Sequence, residues 1–326
     1  MTGPEAAPTY LVFAHLIIDD IALADGVLVP GQLGGAGTYA ALGAALASGM
    51  PVALTCGVGD DLASAYRLAL QDWNIDTTAL IARGPHTPRS RVVYRPDGTR
   101  SETPVHGPDH FATMAPDVRD IPSSWDHLRG VYFFATDDAC QWPQLLDLVS
   151  RRRSALMWEI SAESCRREAF DRVAARLRDV TMFSINRDEA RTLCGNADPL
   201  TCLERLRRVG PAVIVLRMGA DGSLVATGDT VLAVGAAPVS AVIDPTGAGN
   251  CYSGAFMAAW CQSHNLRRSA GLAAAAAACV LGRYGLPPAP VSGEPTSAES
   301  LADRVRMRDI TSAMRPSPIP TNTEHT

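Results

Sequence analysis

The chain has 326 residues, of which 47% are hydrophobic and 19% charged, and its formal net charge is −5 at pH 7. This composition is typical of a globular protein large enough for one sizeable α/β domain, and its acidic balance argues against nucleic-acid binding. No apolar run is long enough to cross a bilayer and the N-terminal segment does not resemble a signal peptide, so we expect a cytoplasmic protein without a membrane partner.

The sequence contains no lysine, so all 29 basic residues are arginine. A Walker A loop and a protein-kinase domain each require a lysine at a fixed place, and both are therefore excluded. Any phosphate contact must use backbone N–H groups and arginine. The eight cysteines form no C-x-x-C pair and have no histidines at zinc spacing, so we expect reduced, mostly buried thiols.

The first third of the chain is predicted to alternate strands and helices. Hydrophobic runs and glycine stops indicate the following elements in chain order: a buried strand at Thr9–Ile18 that ends in Asp19-Asp20, a short strand and glycine turn at Val27–Gly37, a helix at Thr38–Gly49, a strand at Pro51–Gly59, and a helix to about Trp73. A polar hairpin follows at Arg89–Val105, with its turn at Pro96-Asp97-Gly98.

The strand-then-helix alternation resumes after the hairpin, with strands predicted at 130–135, 155–160, 180–185 and 212–217. Alternation over almost 290 residues predicts an α/β fold with a mostly parallel sheet covered on both faces. We expect residues 1–290 to form this domain, with lid strands around 23–33 and 89–105. Residues 291–326 are poor in large apolar side chains and are predicted to be mostly disordered, with a helical turn or more near Ser300–Arg306.

A glycine turn at Gly247-Ala248-Gly249 precedes Asn250 and a helical apolar pattern. Because the first N–H groups of a helix are unpaired, such a turn is a candidate anion site; the alternative is a plain tight turn. Asp19, Gly34-Gly35 and Asn186 also follow predicted strands. Ligands of parallel sheets bind at the carboxyl ends of the strands, so these groups are expected to converge on one edge.

Six short motifs occur in the order typical of one family. They are Ala14 followed five residues later by Asp19, the pair Gly34-Gly35 before Thr38-Tyr39, the segment Cys56–Asp61, the N-x-x-E pattern of Asn186 and Glu189, the turn Met218–Gly222, and Asp244-Pro245-Thr246-Gly247-Ala248-Gly249-Asn250. Over roughly residues 9–290 the chain resembles the ribokinase-like, or PfkB, carbohydrate and nucleoside kinases. Tyr39 and Pro245 give it most similarity to the branch that contains plant myo-inositol kinase.

This resemblance implies a ribokinase-like fold with a small β-stranded lid, a requirement for Mg·ATP, and a polyhydroxy substrate such as a sugar, cyclitol or nucleoside. It also implies a possible homodimer through the lid. Asp19 would accept hydrogen bonds from substrate hydroxyls, with Asp20 as the competing choice. Gly34 and Gly35 would offer backbone N–H groups to the substrate. Tyr39 stands where ribokinase has Asn, which leaves the substrate open.

The resemblance assigns further residues to the nucleotide and to cations. Asn186 and Glu189 would order Mg²⁺ through water, although the same pair also fits a helix capping box. Arg217, Gly219 and Gly222 would contact the nucleotide, although a surface arginine is an equal alternative at position 217. The segment containing Asp244 and Thr246 would form a site for a monovalent cation such as K⁺. The hairpin arginines, Arg89, Arg91, Arg95 and Arg100, would either reach a substrate anion or face solvent.

Asn250 is a departure from the family, whose closing Asp takes the proton of the attacking hydroxyl. An amide cannot act as that base, and general-base help is typically worth about 10²–10⁴ in rate. Three interpretations remain: a working kinase with little need of a base, a pseudokinase that binds nucleotide or sugar, and an anion hole reused for other chemistry. Cys251 is expected to face inward and not to replace the base.

Overall fold

A computed structural model of the chain describes residues 7–95, 100–289 and 297–314. The strands are β1 Tyr10–Phe13, β2 Ile17–Ala22, β3 Leu28–Gly34, β4 Val52–Val58, β5 Ile75–Asp76, β6 Leu80–Ala82, β7 Arg89–Tyr94, β8 Arg100–Pro104, β9 Gly130–Ala135, β10 Ala155–Ile160, β11 Met182–Asn186, β12 Val213–Arg217, β13 Ser223–Thr227, β14 Thr230–Val234 and β15 Met307–Asp309. The helices are α1 Gly35–Ser48, α2 Ser64–Gln71, α3 Gly107–Thr113, α4 Trp142–Arg152, α5 Phe170–Leu177, α6 Arg187–Leu193, α7 Pro199–Val209, α8 Ala248–Ser263, α9 Leu266–Val280 and α10 Ser297–Ala302. Across these described ranges, none of the helices combines the length and hydropathy needed to traverse a bilayer.

The large central sheet has the strand order β15-β14-β13-β12-β11-β10-β9-β1-β4-β5, and β6 also pairs with β4. Within this sheet, the neighbouring strands β4, β1, β9, β10, β11 and β12 run parallel to one another. β13, β14 and β15 are added antiparallel beside β12. Strands such as β4 are buried along their whole length because hydrophobic side chains cover both faces. The predicted α/β fold with a mostly parallel sheet is confirmed.

The strand predicted at Thr9–Ile18 is in fact two strands in different sheets. β1 lies in the centre of the large sheet, and after a short connection β2 enters a separate small sheet. The prediction of one strand was wrong because both halves are equally apolar, so their pattern cannot show where the chain changes sheet. As a result Asp19 lies inside a strand of the small sheet and not at the end of a central strand.

The small sheet, called the lid below, has the order β3-β2-β7-β8. β2 pairs antiparallel with β3 and parallel with β7, and β7 and β8 form the predicted polar hairpin. The turn predicted at Pro96-Asp97-Gly98 lies outside the described residues. The segment predicted around 23–33 contributes β3, while β2 supplies a lid strand that the sequence interpretation had assigned to the core.

The C-terminal part of the chain contributes more structure than the sequence indicated. α10 packs against α9, and β15 pairs with β14 at the edge of the central sheet, with Met307 opposite Val234. Ala298, Val305 and Ile310 are buried. The expectation of disorder therefore fails for residues 297–314. Adding a short strand to an existing sheet edge buries a few apolar side chains without needing the length of an independent element.

The position of α8 is fixed by a close approach to α1. A side chain at Gly43 would collide with the carbonyl of Cys251, and one at Gly254 would collide with the carbonyl of Ala40. Two glycines facing each other's backbone let the helices pack closer than ordinary side chains permit. The N-terminus of α8 is thereby held against the helix that follows the lid strand β3.

Candidate active site

The first turn of α8 has the features of an anion site. Gly247, the residue before the helix, has φ of 74°, a left-handed conformation that favours glycine. The N–H groups of Gly247, Gly249 and Asn250 have no hydrogen-bond acceptor among the residues that the structure describes. These donors and the helix dipole together favour a bound anion. Residues 247–250 are called the anion turn below.

The side chain of Asn250 is anchored by two neighbours. Its Nδ2 donates to Glu159 Oε1 at 3.0 Å and to Tyr132 Oη at 3.2 Å. Tyr132 in turn donates its hydroxyl to Glu159 Oε2 at 2.9 Å. Glu159 is only 2% exposed, so it is a buried carboxylate surrounded by donors. Burial and the negative charge of Glu159 raise the pKa of Tyr132.

Arg217 connects this carboxylate to the anion turn. Its Nη2 lies 2.8 Å from Glu159 Oε1 in an ion pair, and its side chain is largely buried. A side chain at Gly249 would collide with Arg217 Nη1, so the guanidinium lies directly beside the anion turn. Its Nε has no hydrogen-bond partner among the described residues. A fixed positive charge therefore stands next to three free N–H groups.

Asn186 and Glu189 form the capping box that the sequence offered as their local role. Glu189 N–H donates to Asn186 Oδ1, and Asn186 N–H donates to Glu189 Oε2, both at 2.9 Å. Asn186 is opposite Arg217 in the register of β11 and β12, so the pair lies near the guanidinium. Burial raises the pKa of Glu189, and the positive charge of Arg217 opposes that rise.

The turn after β12 lies at the same edge of the sheet. Met218 N–H donates to the carbonyl of Gly222 at 2.7 Å and closes the turn around Gly219. Gly222 also lies against the carbonyl of Val234, where a larger residue would collide. The structure therefore gives Gly222 a packing role, and both glycines stay candidates for a nucleotide contact.

On the lid side, the two neighbouring carboxylates differ in their surroundings. Asp20 accepts two hydrogen bonds from Arg89, at 2.6 and 2.8 Å, and one from the N–H of Gly31. Asp19 is 5% exposed and packs against Gly34, where any side chain would collide with its Oδ2. Burial raises the pKa of Asp19 to about 7, with Glu102 adding to the rise.

Tyr39 joins the lid side to the anion turn. It is buried in α1, and its ring packs so closely against Gly247 that a side chain there would collide with it. Burial raises the pKa of the Tyr39 hydroxyl, and the negative charges of Asp244 and Asp19 add to this. Gly35 begins α1 directly after Gly34, so the predicted glycine pair lies between Asp19 and this helix.

The lid contacts the segment that leads into the anion turn. Tyr94 in β7 donates its hydroxyl to Asp244 Oδ1 at 2.6 Å and lies 3.1 Å from Thr246 Oγ1. Arg100 in β8 also donates to Thr246 Oγ1. Asp244 is buried, and its Oδ2 has no hydrogen-bond partner among the described residues. Of the hairpin arginines, Arg100 thus points to the site, whereas Arg89 pairs with Asp20.

The predicted residues fall into two adjoining groups. One surrounds the anion turn and Arg217; the other lies between Asp19, Tyr39 and Asp244, and the contact of Tyr39 with Gly247 joins them. Sequence reasoning missed Tyr132, Glu159 and the role of Tyr94. Glu159 could have been recognised as a candidate from the sequence, because it is the one charged residue in the apolar strand ALMWEI.

Cys251 faces away from this site. Its side chain is fully buried, and its Sγ lies 3.4 Å from the carbonyl of Ala276 in α9. Burial raises the pKa of the thiol well above its ordinary value. The inward orientation expected from the sequence matches this placement, and the thiol has neither the position nor the ionisation of a nucleophile.

Comparison with known proteins agrees with this fold. The sequence profile of the pfkB family carbohydrate kinases matches residues 29–290. An uncharacterized protein of Schizosaccharomyces pombe is 24% identical over 88% of each chain. The adenosine kinase structure from Sinorhizobium meliloti superimposes with a TM-score of 0.74 at 21% identity, covering 92% of this chain and 100% of that one. A putative ribokinase II from E. coli, in complex with ATP and Mg²⁺, gives 0.74 at 16% identity over 91% and 99%.

Proposed function

Because the chain belongs to the pfkB family of carbohydrate kinases, we propose that it transfers the γ-phosphoryl group of ATP to a hydroxyl of a small polyhydroxy metabolite. The observation that carries this proposal is the anion turn, where the N–H groups of Gly247, Gly249 and Asn250 have no acceptor among the described residues and Gly249 contacts the Arg217 guanidinium. Phosphoryl transfer depends mainly on positioning and charge neutralisation, which these groups supply.

In this reaction the substrate oxygen forms a bond to the γ-phosphorus while the bond to the bridging oxygen of ADP breaks. The hydroxyl proton passes to solvent water, and the products are ADP and a phosphate monoester. The N–H groups of the anion turn stabilise the negative charge on the transferred phosphoryl oxygens. Asn250 accepts a hydrogen bond from the attacking hydroxyl but takes no proton, so the reaction relies on a loose transition state with little base help.

The nucleotide side consists of Asn186, Glu189, Arg217, Gly219 and Gly222. Glu189 fits a role toward Mg²⁺, because one carboxylate oxygen is used by the capping box and the other remains for a metal-bound water. Mg²⁺, when bound with ATP, neutralises charge on the phosphates. A putative ribokinase II from E. coli that shares this fold was solved with ATP and Mg²⁺, which supports Mg·ATP as the nucleotide.

The substrate side consists of Asp19, Gly34, Gly35 and Tyr39. Asp19 is favoured over Asp20 because Asp20 is already occupied by Arg89, whereas Asp19 retains its acceptor capacity. Vicinal hydroxyls of a sugar, cyclitol or nucleoside suit a carboxylate of this kind. The similarity of Tyr39 and Pro245 to the myo-inositol-kinase branch places cyclitols first among the substrates to be tested.

We also propose a monovalent cation, such as K⁺, at the segment of Asp244 and Thr246. The buried Asp244 Oδ2 supports this, because it has no protein partner among the described residues and a cation would satisfy it. If the proposal is correct, replacing K⁺ by tetramethylammonium at equal ionic strength will lower the transfer rate. Equal rates in the two salts would exclude the cation.

A homodimer through the lid is a further part of the proposal. Val27, Leu28 and Val93 are apolar residues of the lid region that are 52%, 72% and 36% exposed. Pairing of two lids would remove this surface from water. Light scattering after size exclusion measures the mass of the particle in solution. A monomeric mass at every concentration up to about 100-fold above the assay level would exclude the dimer.

The second candidate function is a pseudokinase that binds nucleotide or sugar without efficient transfer. The observation that favours it is the amide at position 250, where the family has a carboxylate. The kinase and the pseudokinase differ in turnover. Both predict that ligands stabilise the protein, but only the kinase predicts a phosphorylated product.

The deciding experiment measures transfer from [γ-³²P]ATP with Mg²⁺ and K⁺ to separate sugars, cyclitols and nucleosides, with melting temperature recorded for each ligand. Phosphorylation of one acceptor establishes the kinase. Stabilisation by Mg·ATP without transfer to any acceptor establishes the pseudokinase. Neither transfer nor stabilisation would overturn both functions.

A further inference from the structure

The hydrogen bonds of Asn250 determine which way its amide points. Glu159 Oε1 accepts from Arg217 Nη2, which can only donate, so the Asn250 atom 3.0 Å from this oxygen is the donor Nδ2. Tyr132 donates its proton to Glu159 and therefore accepts from Nδ2 as well. Both amide protons are used toward the protein interior. The carbonyl oxygen Oδ1 is the atom left for a ligand at the anion turn.

Glu159 itself is poorly suited to be the missing base. It accepts hydrogen bonds from Tyr132 and Asn250 and forms an ion pair with Arg217. These three donors occupy the carboxylate lone pairs that a proton from the substrate would need. Glu159 is also 2% exposed, so a substrate hydroxyl meets the Asn250 amide first.

We propose that Glu159 is a positioning residue that fixes the Asn250 amide with its oxygen toward the substrate hydroxyl. The Glu159 carboxylate lies on β10 in the protein interior, and the Asn250 amide lies on α8 at the anion turn. This inference rests on the proposed kinase function for its effect on rate. The pairing itself does not depend on activity.

This pairing has a consequence for a variant that carries a carboxylate at position 250. Asn250→Asp alone places a second carboxylate about 3 Å from Glu159, and two carboxylates this close cannot both be ionised near neutral pH. Such a pair shares a proton and has lost the donor that held residue 250. Adding Glu159→Gln restores a donor opposite an acceptor with one negative charge, now on the side of the substrate.

The test compares wild type, Glu159→Gln, Asn250→Asp and the double variant, with Glu168→Gln as a control for an exposed glutamate. We expect the double variant to have a kcat at least about 10-fold above Asn250→Asp at pH 7, since a working base contributes 10²–10⁴. The kcat of Asn250→Asp should rise with pH between 6 and 9, and the double variant should lose that dependence. KM for ATP should change little between the two. Equal kcat and equal pH profiles of these two variants would overturn the proposal.

A measurement that needs no turnover separates this inference from the kinase function. The side-chain amide signals of Asn250, identified by their loss in Asn250→Asp, should shift in ¹⁵N-correlated NMR spectra of Glu159→Gln and Tyr132→Phe and stay in place in Glu168→Gln. Signals that remain unchanged in both of the first variants would refute the pairing, whether or not the protein is a kinase. A shift in an inactive protein would support the pairing while the kinase proposal fails.

Discussion

The hydroxyl of Tyr94 in the lid donates a 2.6 Å hydrogen bond to Asp244 Oδ1, in the segment that leads into the anion turn. The two residues are 150 positions apart in the sequence. The bond therefore joins the lid to the segment that leads into the anion turn.

Tyr94→Phe removes this hydrogen bond and keeps the ring. We expect KM for the acceptor substrate to rise about 5- to 10-fold, because a buried hydrogen bond to a charged group contributes about 1.5–3 kcal/mol and part of it is replaced by water. KM for ATP should stay within 2-fold, about the scatter of such assays. Tyr66→Phe is the matched control, since it breaks a bond to Gly31 on the far side of the lid. Equal effects of both variants would contradict a specific coupling.

Asp19→Asn should change how stability depends on pH. Burial raises the pKa of Asp19 from 3.8 to about 7, so between these values the folded protein holds a proton that the unfolded chain has released. Stability from this group therefore falls as pH rises through that window. Between pH 4 and 8 the unfolding free energy of wild type should fall relative to Asp19→Asn by up to about 4 kcal/mol.

Asp20→Asn is the control for this measurement. The hydrogen bond from Arg89 lowers the pKa of Asp20, so its stabilisation is complete above 3.8 and is lost only at more acidic pH. Urea unfolding at pH 4, 5, 6, 7 and 8 distinguishes the two carboxylates. A flat difference for Asp19→Asn across this range would show that Asp19 titrates normally.

Arg217→Met should destabilise the fold as well as weaken ATP binding. The substitution leaves the buried Glu159 without its cationic partner, and breaking such a pair costs about 3–5 kcal/mol. Adding Glu159→Gln removes the unpaired charge, so at least half of the loss should return, about 1.5 kcal/mol or more. Unfolding free energies of the four proteins form the double-mutant cycle. Additive effects would mean that the ion pair has no energetic role.

Gly247→Ala should lose both stability and transfer. The residue has φ of 74°, and a methyl group there collides with the ring of Tyr39. Gly228→Ala isolates the backbone contribution, because Gly228 has φ of 51° with open space around it and should cost only about 1–2 kcal/mol. Gly247→Ala should cost more than this control by about 1–3 kcal/mol. Equal unfolding free energies for the two variants would show that the Tyr39 ring moves aside without a cost in stability.

The sequence by itself determined the alternation of strands and helices, the glycine turn before α8, and the capping box of Asn186 and Glu189. These features are local, because periodicity and turn chemistry depend on residues within a few positions of each other. Only the tertiary structure brought Glu159 and Tyr132 to Asn250, across 91 and 118 residues. It also divided the first predicted strand between two sheets and added β15 to the central sheet. Such contacts depend on which strands become neighbours. The packing of the whole domain determines that order, so it cannot be predicted from any single segment.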